Sequence, residues 1–173
     1  MSRSPGTCNL EFLRKLIQHN CWEDGRVWQL AIAPLSDAQF VQAVPFGAGS
    51  IQRECWQIIE TERKCLRSVR GDAQNSAREI PDAPDRALMR GQWRALHGEW
   101  RQFAKELDAD LLVSACRFPA EGGEAELLAW QLIINVIYQG STHRSNIMRM
   151  VAAVHEPAQF DLSLMQYLTG VFR

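Results

Sequence analysis

No two cysteines in this sequence have the C-x-x-C spacing, and there is neither a glycine-rich phosphate loop nor a serine-nucleophile elbow. The cysteine spacing excludes the common zinc-finger classes, and five cysteines cannot all pair in a disulfide framework. The missing glycine and serine motifs exclude nucleotide sites of the Rossmann and P-loop types and hydrolases with a nucleophile elbow. We therefore expect reduced thiols, several of them packed as small hydrophobic side chains.

An excess of charge of one sign is also absent. Nineteen basic and twenty acidic residues give a formal net charge of −1. Proteins that bind nucleic acids neutralise backbone phosphates with clustered lysines and arginines, and a balanced chain offers no broad surface of that kind. We expect no nucleic-acid partner.

Long apolar runs are missing as well. The most apolar stretch, residues 127–138, is interrupted by Gln131 and Asn135. It is also shorter than the ~20 residues that a membrane-spanning helix needs. Residues 1–6 lack the apolar segment of a signal peptide. These features predict a cytoplasmic protein with no membrane partner.

What the chain does contain is helical periodicity of apolar residues. It covers four long stretches, residues 9–32, 51–69, 85–107 and 124–154. Ser50 is a candidate N-cap of the second helix, and either Asp82 or Asp85 is one for the third. Ser36 and Gln39 have the spacing of a capping box, which predicts a short helical turn after the first helix.

The connections between the long helices are of unequal length. Residues 71–84 are polar with two prolines and predict a loop, and residues 108–123 form a second long connection with an extended stretch at 111–118. A short helix is expected over residues 161–167. The fold class predicted for the 173 residues is all-α: a single domain over residues 1–173 that forms a four-helix bundle with long interhelical connections.

Polar residues interrupt the apolar stripes on three of the four helices. Steps of three and four along the last helix place Gln139 and His143 on its buried face. The stripe of the second helix passes through Glu62, and that of the first passes through Asn20 and Asp24. Helical bundles build internal sites from such side chains on facing helices. The pattern predicts a polar pocket between the first, second and fourth helices.

Each of these residues also has a purely structural interpretation. His143 can be a hydrogen-bonded core histidine, and Glu62 can be a buried acid paired with Arg144. Asn20 and Asp24 would move to the edge of the bundle if the register of the first helix were shifted by one position.

Several short motifs occur in a recognisable order along the chain. They are His19-Asn20-Cys21-Trp22, Leu35-Ser36-Asp37, Ser50-Ile51, Glu62 followed by Leu66 and Gly71, the segment Gln139-Gly-Ser-Thr-His143-Arg144, Pro157, Asp161 and Tyr167-Leu168. With these motifs the chain resembles the DinB-like superfamily of four-helix bundles, which includes thiol-dependent transferases, over nearly its whole length. The resemblance implies helices that run up, down, down and up, and a homodimer formed through long helix faces.

The resemblance also implies a site for a divalent metal such as zinc or nickel. The three positions that bind the metal in that family correspond to Gln57, Gln139 and His143. Zinc and nickel favour imidazole, thiolate and carboxylate ligands over a neutral amide oxygen, so we expect weak binding or none. A substitute ligand set of Asp24, Glu62 and His143 is the alternative.

Three functions remain open at this point. The first is a DinB-like protein without the usual metal, which binds a small molecule in a pocket of Asn20, Asp24, Gln57, Glu62, Gln139 and His143. The second is a metal-dependent enzyme of the thiol-transferase or hydrolase type with an unusual ligand set. The third is a structural or stress-related interaction protein. If the chain is catalytic, His143 is the candidate proton acceptor, oriented by Gln139 or Glu62.

Overall fold

A computed structural model describes residues 5–72, 83–120, 123–156 and 160–170. Most of these residues are helical. The helices are α1 (Pro5–Val27), α2 (Asp37–Val41), α3 (Ile51–Val69), α4 (Arg86–Glu106), α5 (Ala109–Leu112), α6 (Ala129–Val154) and α7 (Leu164–Thr169). A π-helical turn (Trp28–Ile32) extends α1. Within the described ranges, no helix is both long and apolar enough to span a bilayer.

The helix starts follow the predicted capping residues. Ser50 caps α3 by accepting a hydrogen bond from the backbone N–H of Arg53, and Asp85 caps α4 in the same way through Leu88. These caps satisfy backbone donors that the first helical turn leaves without partners. The starts predicted from Ser50 and Asp85 are confirmed.

The predicted start of the last long helix at residue 124 is wrong. Residues 123–128 form the strand β2 (Gly123–Leu128), which pairs antiparallel with β1 (Ala115–Ala120). Glutamate, alanine and leucine favour helix in isolation, but the backbone hydrogen bonds of the hairpin override that preference. The protein is therefore mostly helical with one small sheet. The predicted loop over 71–84 lies largely outside the described residues, as does Pro157.

The four long helices contact one another around a ring. Helix α1 packs against α4 and α6, and α3 packs against the same two helices. Helices α1 and α4 are antiparallel, because Arg14 donates to the carbonyl of Leu107 at one end while Asp24 meets His97 further along. The ring encloses the apolar core.

Two further pairs of contacts fix the directions of the other helices. Helices α3 and α6 are antiparallel. Cys65 of α3 donates to the carbonyl of Leu132 on α6. The next contact, between Glu54 and His143, lies eleven residues earlier on α3 and eleven residues later on α6. Helices α3 and α4 run in the same direction. Arg63 of α3 donates to Gln92 of α4, and seven residues later on both helices Arg70 forms an ion pair with Glu99. Parallel neighbours need a long connection between them, which residues 70–85 provide.

Helix α2 is held in place by the predicted capping box. The Ser36 hydroxyl accepts from the backbone N–H of Gln39, and the Gln39 side chain accepts from the backbone N–H of Ser36. The Gln39 amide also donates to the carbonyl of Val154 at 2.8 Å, which ties α2 to the end of α6.

Replacing Ser36 with alanine removes one half of this box. We expect Ser36→Ala to lower the free energy of unfolding by about 1 kcal/mol, the usual contribution of an N-cap hydroxyl. Chemical denaturation of both proteins measures the difference. Ser141→Ala, at an exposed serine within α6, serves as the control and should change stability by less than about 0.5 kcal/mol. Equal effects of the two substitutions would contradict the role of the cap.

Candidate functional site

A buried arginine connects α6 to α1. Arg144 is 2% exposed, and its Nη1 donates to Asp24 Oδ1 at 2.7 Å and to Asn20 Oδ1 at 2.9 Å. Its Nη2 donates to Glu23 Oε2 at 2.7 Å. A buried guanidinium is stable only when its charge is paired and its N–H groups have acceptors. Three residues of α1 provide both.

The approach of Arg144 to α1 depends on Gly140, one turn earlier on α6. A Cβ at Gly140 would lie 2.9 Å from Arg144 Nη1 and 2.9 Å from Asn20 Oδ1. The buried face of α6 therefore runs through Gly140 and Arg144. The prediction that Gln139 and His143 share that face is wrong, because Gln139 is exposed and His143 is only half-buried.

The same network extends to α3 and α4. Asn20 Nδ2 donates to Glu62 Oε1 at 2.6 Å, and His97 Nε2 lies 3.2 Å from Asp24 Oδ2. Glu62, Asp24 and His97 are all buried. The other oxygen of the acid on α3, Glu62 Oε2, is buried and accepts from no donor within the described part of the chain, and Glu62 hydrogen-bonds to Asp24 when it is protonated. We refer to Asn20, Asp24, Glu62, His97 and Arg144 as the buried network.

The acids of this region ionise differently because their neighbours differ. Burial alone would raise the pKa of Asp24, but the Arg144 guanidinium and the hydrogen bond with His97 outweigh it and hold that pKa below its ordinary value. Burial and the negative charge of Asp24 raise the pKa of Glu62 well above its ordinary value. Burial raises the pKa of Glu23 to about 7 against the attraction of Arg144. Asp24 and Arg144 are thus the fixed ion pair of the network.

A groove of about 390 Å³ between α1 and α4 reaches the network from the outside. Its inner wall includes Asp24 and His97, together with Trp28 of the π-helical turn and Trp93. The groove is also lined by three exposed arginines of α4, Arg90, Arg94 and Arg101. Aromatic side chains, a buried polar pair and three cations thus converge on one opening.

His143 belongs to a different cluster on the α3–α6 face. Its Nδ1 lies 2.7 Å from Glu54 Oε1, which also accepts from Asn146 at 2.9 Å, while Glu54 Oε2 accepts from the backbone N–H of Ala48 at 2.7 Å. Burial would raise the pKa of Glu54, but these hydrogen bonds, led by that of His143, lower it below its ordinary value.

The ionised Glu54 fixes the orientation of the His143 ring. An ionised carboxylate only accepts hydrogen bonds, so Nδ1 of His143 carries a proton and the other ring nitrogen, Nε2, is outside this contact. The predicted partners Gln139 and Glu62 do not orient this ring; Glu54 does.

The positions that the resemblance assigns to a metal do not suit one. Gln57 and Gln139 are both exposed. The antiparallel register of α3 and α6 places Gln57 at nearly the same height along the helix pair as Gln139, one turn from His143. Two neutral amides and an imidazole whose Nδ1 is engaged by Glu54 form a poor donor set for zinc or nickel.

The six predicted pocket residues thus fall into two groups. Asn20, Asp24 and Glu62 meet in the buried network, whereas Gln57, Gln139 and His143 lie on the more exposed α3–α6 face. Sequence reasoning missed His97 and the pocket role of Arg144. His97 stands four residues after Trp93, so a step of four along the third helix would have found it.

Comparison of the chain with models of known protein families, with curated proteins and with solved structures finds no match. The geometry of the two clusters is therefore the basis for a function.

Adding a methyl group at Gly140 should disturb the buried network. We expect Gly140→Ala to lower the free energy of unfolding by about 1–3 kcal/mol, because Arg144 and Asn20 are held by hydrogen bonds and cannot withdraw freely. Gly98→Ala is the matched control, since Gly98 is a helical glycine with open space around its Cβ position. The Gly98→Ala substitution should raise the free energy of unfolding by up to about 1 kcal/mol. A gain in both variants, measured by chemical denaturation, would contradict the close approach.

The lowered pKa of Glu54 predicts a dependence of stability on pH. The stabilisation is fully present above the ordinary pKa of a glutamate and is lost as the pH falls through the lower pKa of the folded state. Glu54→Gln should therefore cost about 1–3 kcal/mol at neutral pH, and the cost should shrink between about pH 5 and about pH 3. Denaturation of both proteins across this range measures it. Glu126→Gln, at an exposed position of β2, should show no such trend; a cost for Glu54→Gln that is constant with pH would refute the assignment.

Proposed function

We propose that this chain is a small-molecule-binding helical bundle of the DinB-like type, and that its ligand is a small organic anion bound in the groove between α1 and α4. The observation that carries the proposal is the convergence of Arg90, Arg94 and Arg101 on a groove whose inner wall holds the buried Asp24–His97 pair.

The three arginines support an anionic ligand. Within the part of the chain that the structure describes, none of Arg90, Arg94 and Arg101 forms an ion pair with an acidic side chain. Guanidinium groups bind carboxylates and phosphates through two parallel hydrogen bonds, which gives both affinity and orientation. Three such groups around one opening attract an anion from solution.

The size and walls of the groove support a small organic molecule rather than an inorganic ion alone. Its volume of about 390 Å³ falls at the lower end of the range for small-molecule sites. Trp28 and Trp93 give it flat apolar walls, and the buried Asp24–His97 pair lies behind them. The ligand would place its charged group among the arginines and an apolar part against the tryptophans.

The directions of the helices support the DinB-like assignment. With α1 taken as up, α4 runs down, α3 runs down alongside it, and α6 runs up against α3. This is the up-down-down-up order that the sequence resemblance implies for a four-helix bundle.

An enzyme that uses His143 as a general base is the second candidate. The 2.7 Å contact between Glu54 and His143 favours it, because the carboxylate fixes the ring with Nε2 free to accept a proton. This activity would take place on the α3–α6 face and not in the groove.

Thermal shifts with a panel of small carboxylates and organic phosphates test the binding proposal. We expect at least one compound to raise the melting temperature in a concentration-dependent way. The double variant Arg94→Ala plus Arg101→Ala should abolish the shift, whereas Arg53→Ala, at an exposed arginine of α3, should leave it intact. If the shift survives in the double variant and disappears in His143→Ala, the ligand binds at the α3–α6 face and the groove proposal is wrong.

A further inference from the structure

One oxygen of the buried acid on α3 accepts no hydrogen bond from a nitrogen or hydroxyl donor of the described residues. Glu62 is 1% exposed, and its Oε1 accepts from Asn20, whereas Oε2 has no such donor. A protonated Glu62 hydrogen-bonds to Asp24, and an ionised Glu62 has no donor at this oxygen. A buried carboxylate oxygen without a donor is costly, so such an atom needs either a proton or a cation.

Two other groups face this oxygen. One oxygen of Asp24, one oxygen of Glu62 and one ring nitrogen of His97 all lie within 4.8 Å of one another. The remaining donors of the network engage the opposite oxygens, since Arg144 holds Asp24 Oδ1 and Asn20 holds Glu62 Oε1. Asp24 Oδ2 lies 3.2 Å from His97 Nε2, and Oε2 is the Glu62 oxygen that Asn20 does not engage. The three candidate atoms are therefore Asp24 Oδ2, Glu62 Oε2 and His97 Nε2.

We propose that these three atoms form a binding site for a divalent transition-metal ion such as zinc. Imidazole and carboxylate are among the ligands that zinc prefers. Two ligands about 2.0–2.1 Å from a tetrahedral zinc lie roughly 3.3 Å apart, and the observed separation of His97 Nε2 and Asp24 Oδ2 is 3.2 Å.

The charges of the region also fit a divalent ion. Asp24, Glu62 and Glu23 surround a single buried arginine, Arg144. When all three acids are ionised they exceed the arginine by two negative charges, which one divalent cation neutralises. Asn20 and Arg144 then act as outer partners that hold the ligating carboxylates in orientation.

The site has three protein ligands and lies beside the groove. Asp24 and His97 also line the groove between α1 and α4, so the fourth coordination position would lie nearest to that groove. Three protein ligands with one open position are typical of catalytic zinc sites. The metal site goes beyond the proposed anion binding and does not depend on it, because the ion can be tested without any organic ligand.

Cobalt(II) added to the metal-free 173-residue chain tests the proposal. We expect saturable binding of one ion per chain, with the visible absorption of a four- or five-coordinate site, no sulfur-to-cobalt band, and displacement by zinc. His97→Ala and Glu62→Gln should each weaken binding by more than about tenfold. His155→Ala removes a histidine at an exposed position beyond α6 and should not change the affinity.

Glu62→Gln separates an ion from a proton. The glutamine has the shape of a protonated glutamic acid, so the fold should persist by circular dichroism while cobalt binding is lost. The proposal is overturned if the wild-type chain binds no cobalt, or if Glu62→Gln binds it as well as the wild type does. It is also overturned if His143→Ala abolishes binding that His97→Ala retains, since the ion would then lie on the α3–α6 face.

Discussion

The ion pair between Arg144 and Asp24 is the interaction on which the arrangement of the helices depends. Both side chains are buried, so neither charge has water to solvate it, and breaking one buried pair typically costs about 3–5 kcal/mol. A rotation of α6 by one residue would separate the two charges inside the core. The pair therefore fixes the register of α6 against α1, and Gly140 makes the close approach possible.

The buried network links the centre of the protein to its surface on one side. Asp24 contacts Arg144 through one carboxylate oxygen and His97 through the other, so the same residue belongs to the ion pair and to the wall of the groove. The π-helical turn at the end of α1 supplies Trp28 to that wall. Wide turns of this kind are frequently found at functional sites. Two of the side chains that stabilise the helix packing, Asp24 and His97, thus also line the groove.

The long helices could be read from the sequence because their caps and apolar stripes are local features. Ser50 and Asp85 begin helices where expected, and the Ser36–Gln39 box was visible from spacing alone. The hairpin was visible only in part: the extended stretch predicted at 111–118 overlaps β1 at 115–118, while 111–112 belong to α5. Its partner strand was missed, because the pairing of Glu124 with Pro119 depends on contacts that helix propensity does not include.

The candidate site was only partly predictable for a similar reason. Asn20, Asp24 and Glu62 interrupt the apolar stripes of their helices and are buried. The helical periodicity of apolar residues therefore predicts their burial. On α6 the same method chose Gln139 and His143 instead of their neighbours, because it treats an arginine as a surface residue. Arg144 is buried because three residues of α1, at least 120 positions away, accept its hydrogen bonds, and no local pattern reveals such partners.

The cysteines of the described region bear on how the protein would respond to thiol chemistry. Cys21, Cys55, Cys65 and Cys116 are buried, and burial raises the pKa of each thiol above its ordinary value. Since the thiolate is the reactive form, alkylating or oxidising reagents can reach these groups only after the surrounding structure opens. The rate at which each cysteine is labelled would then report the local opening of α1, α3 and β1 separately. The chain thus carries its own set of probes for the stability of the helices that build the site.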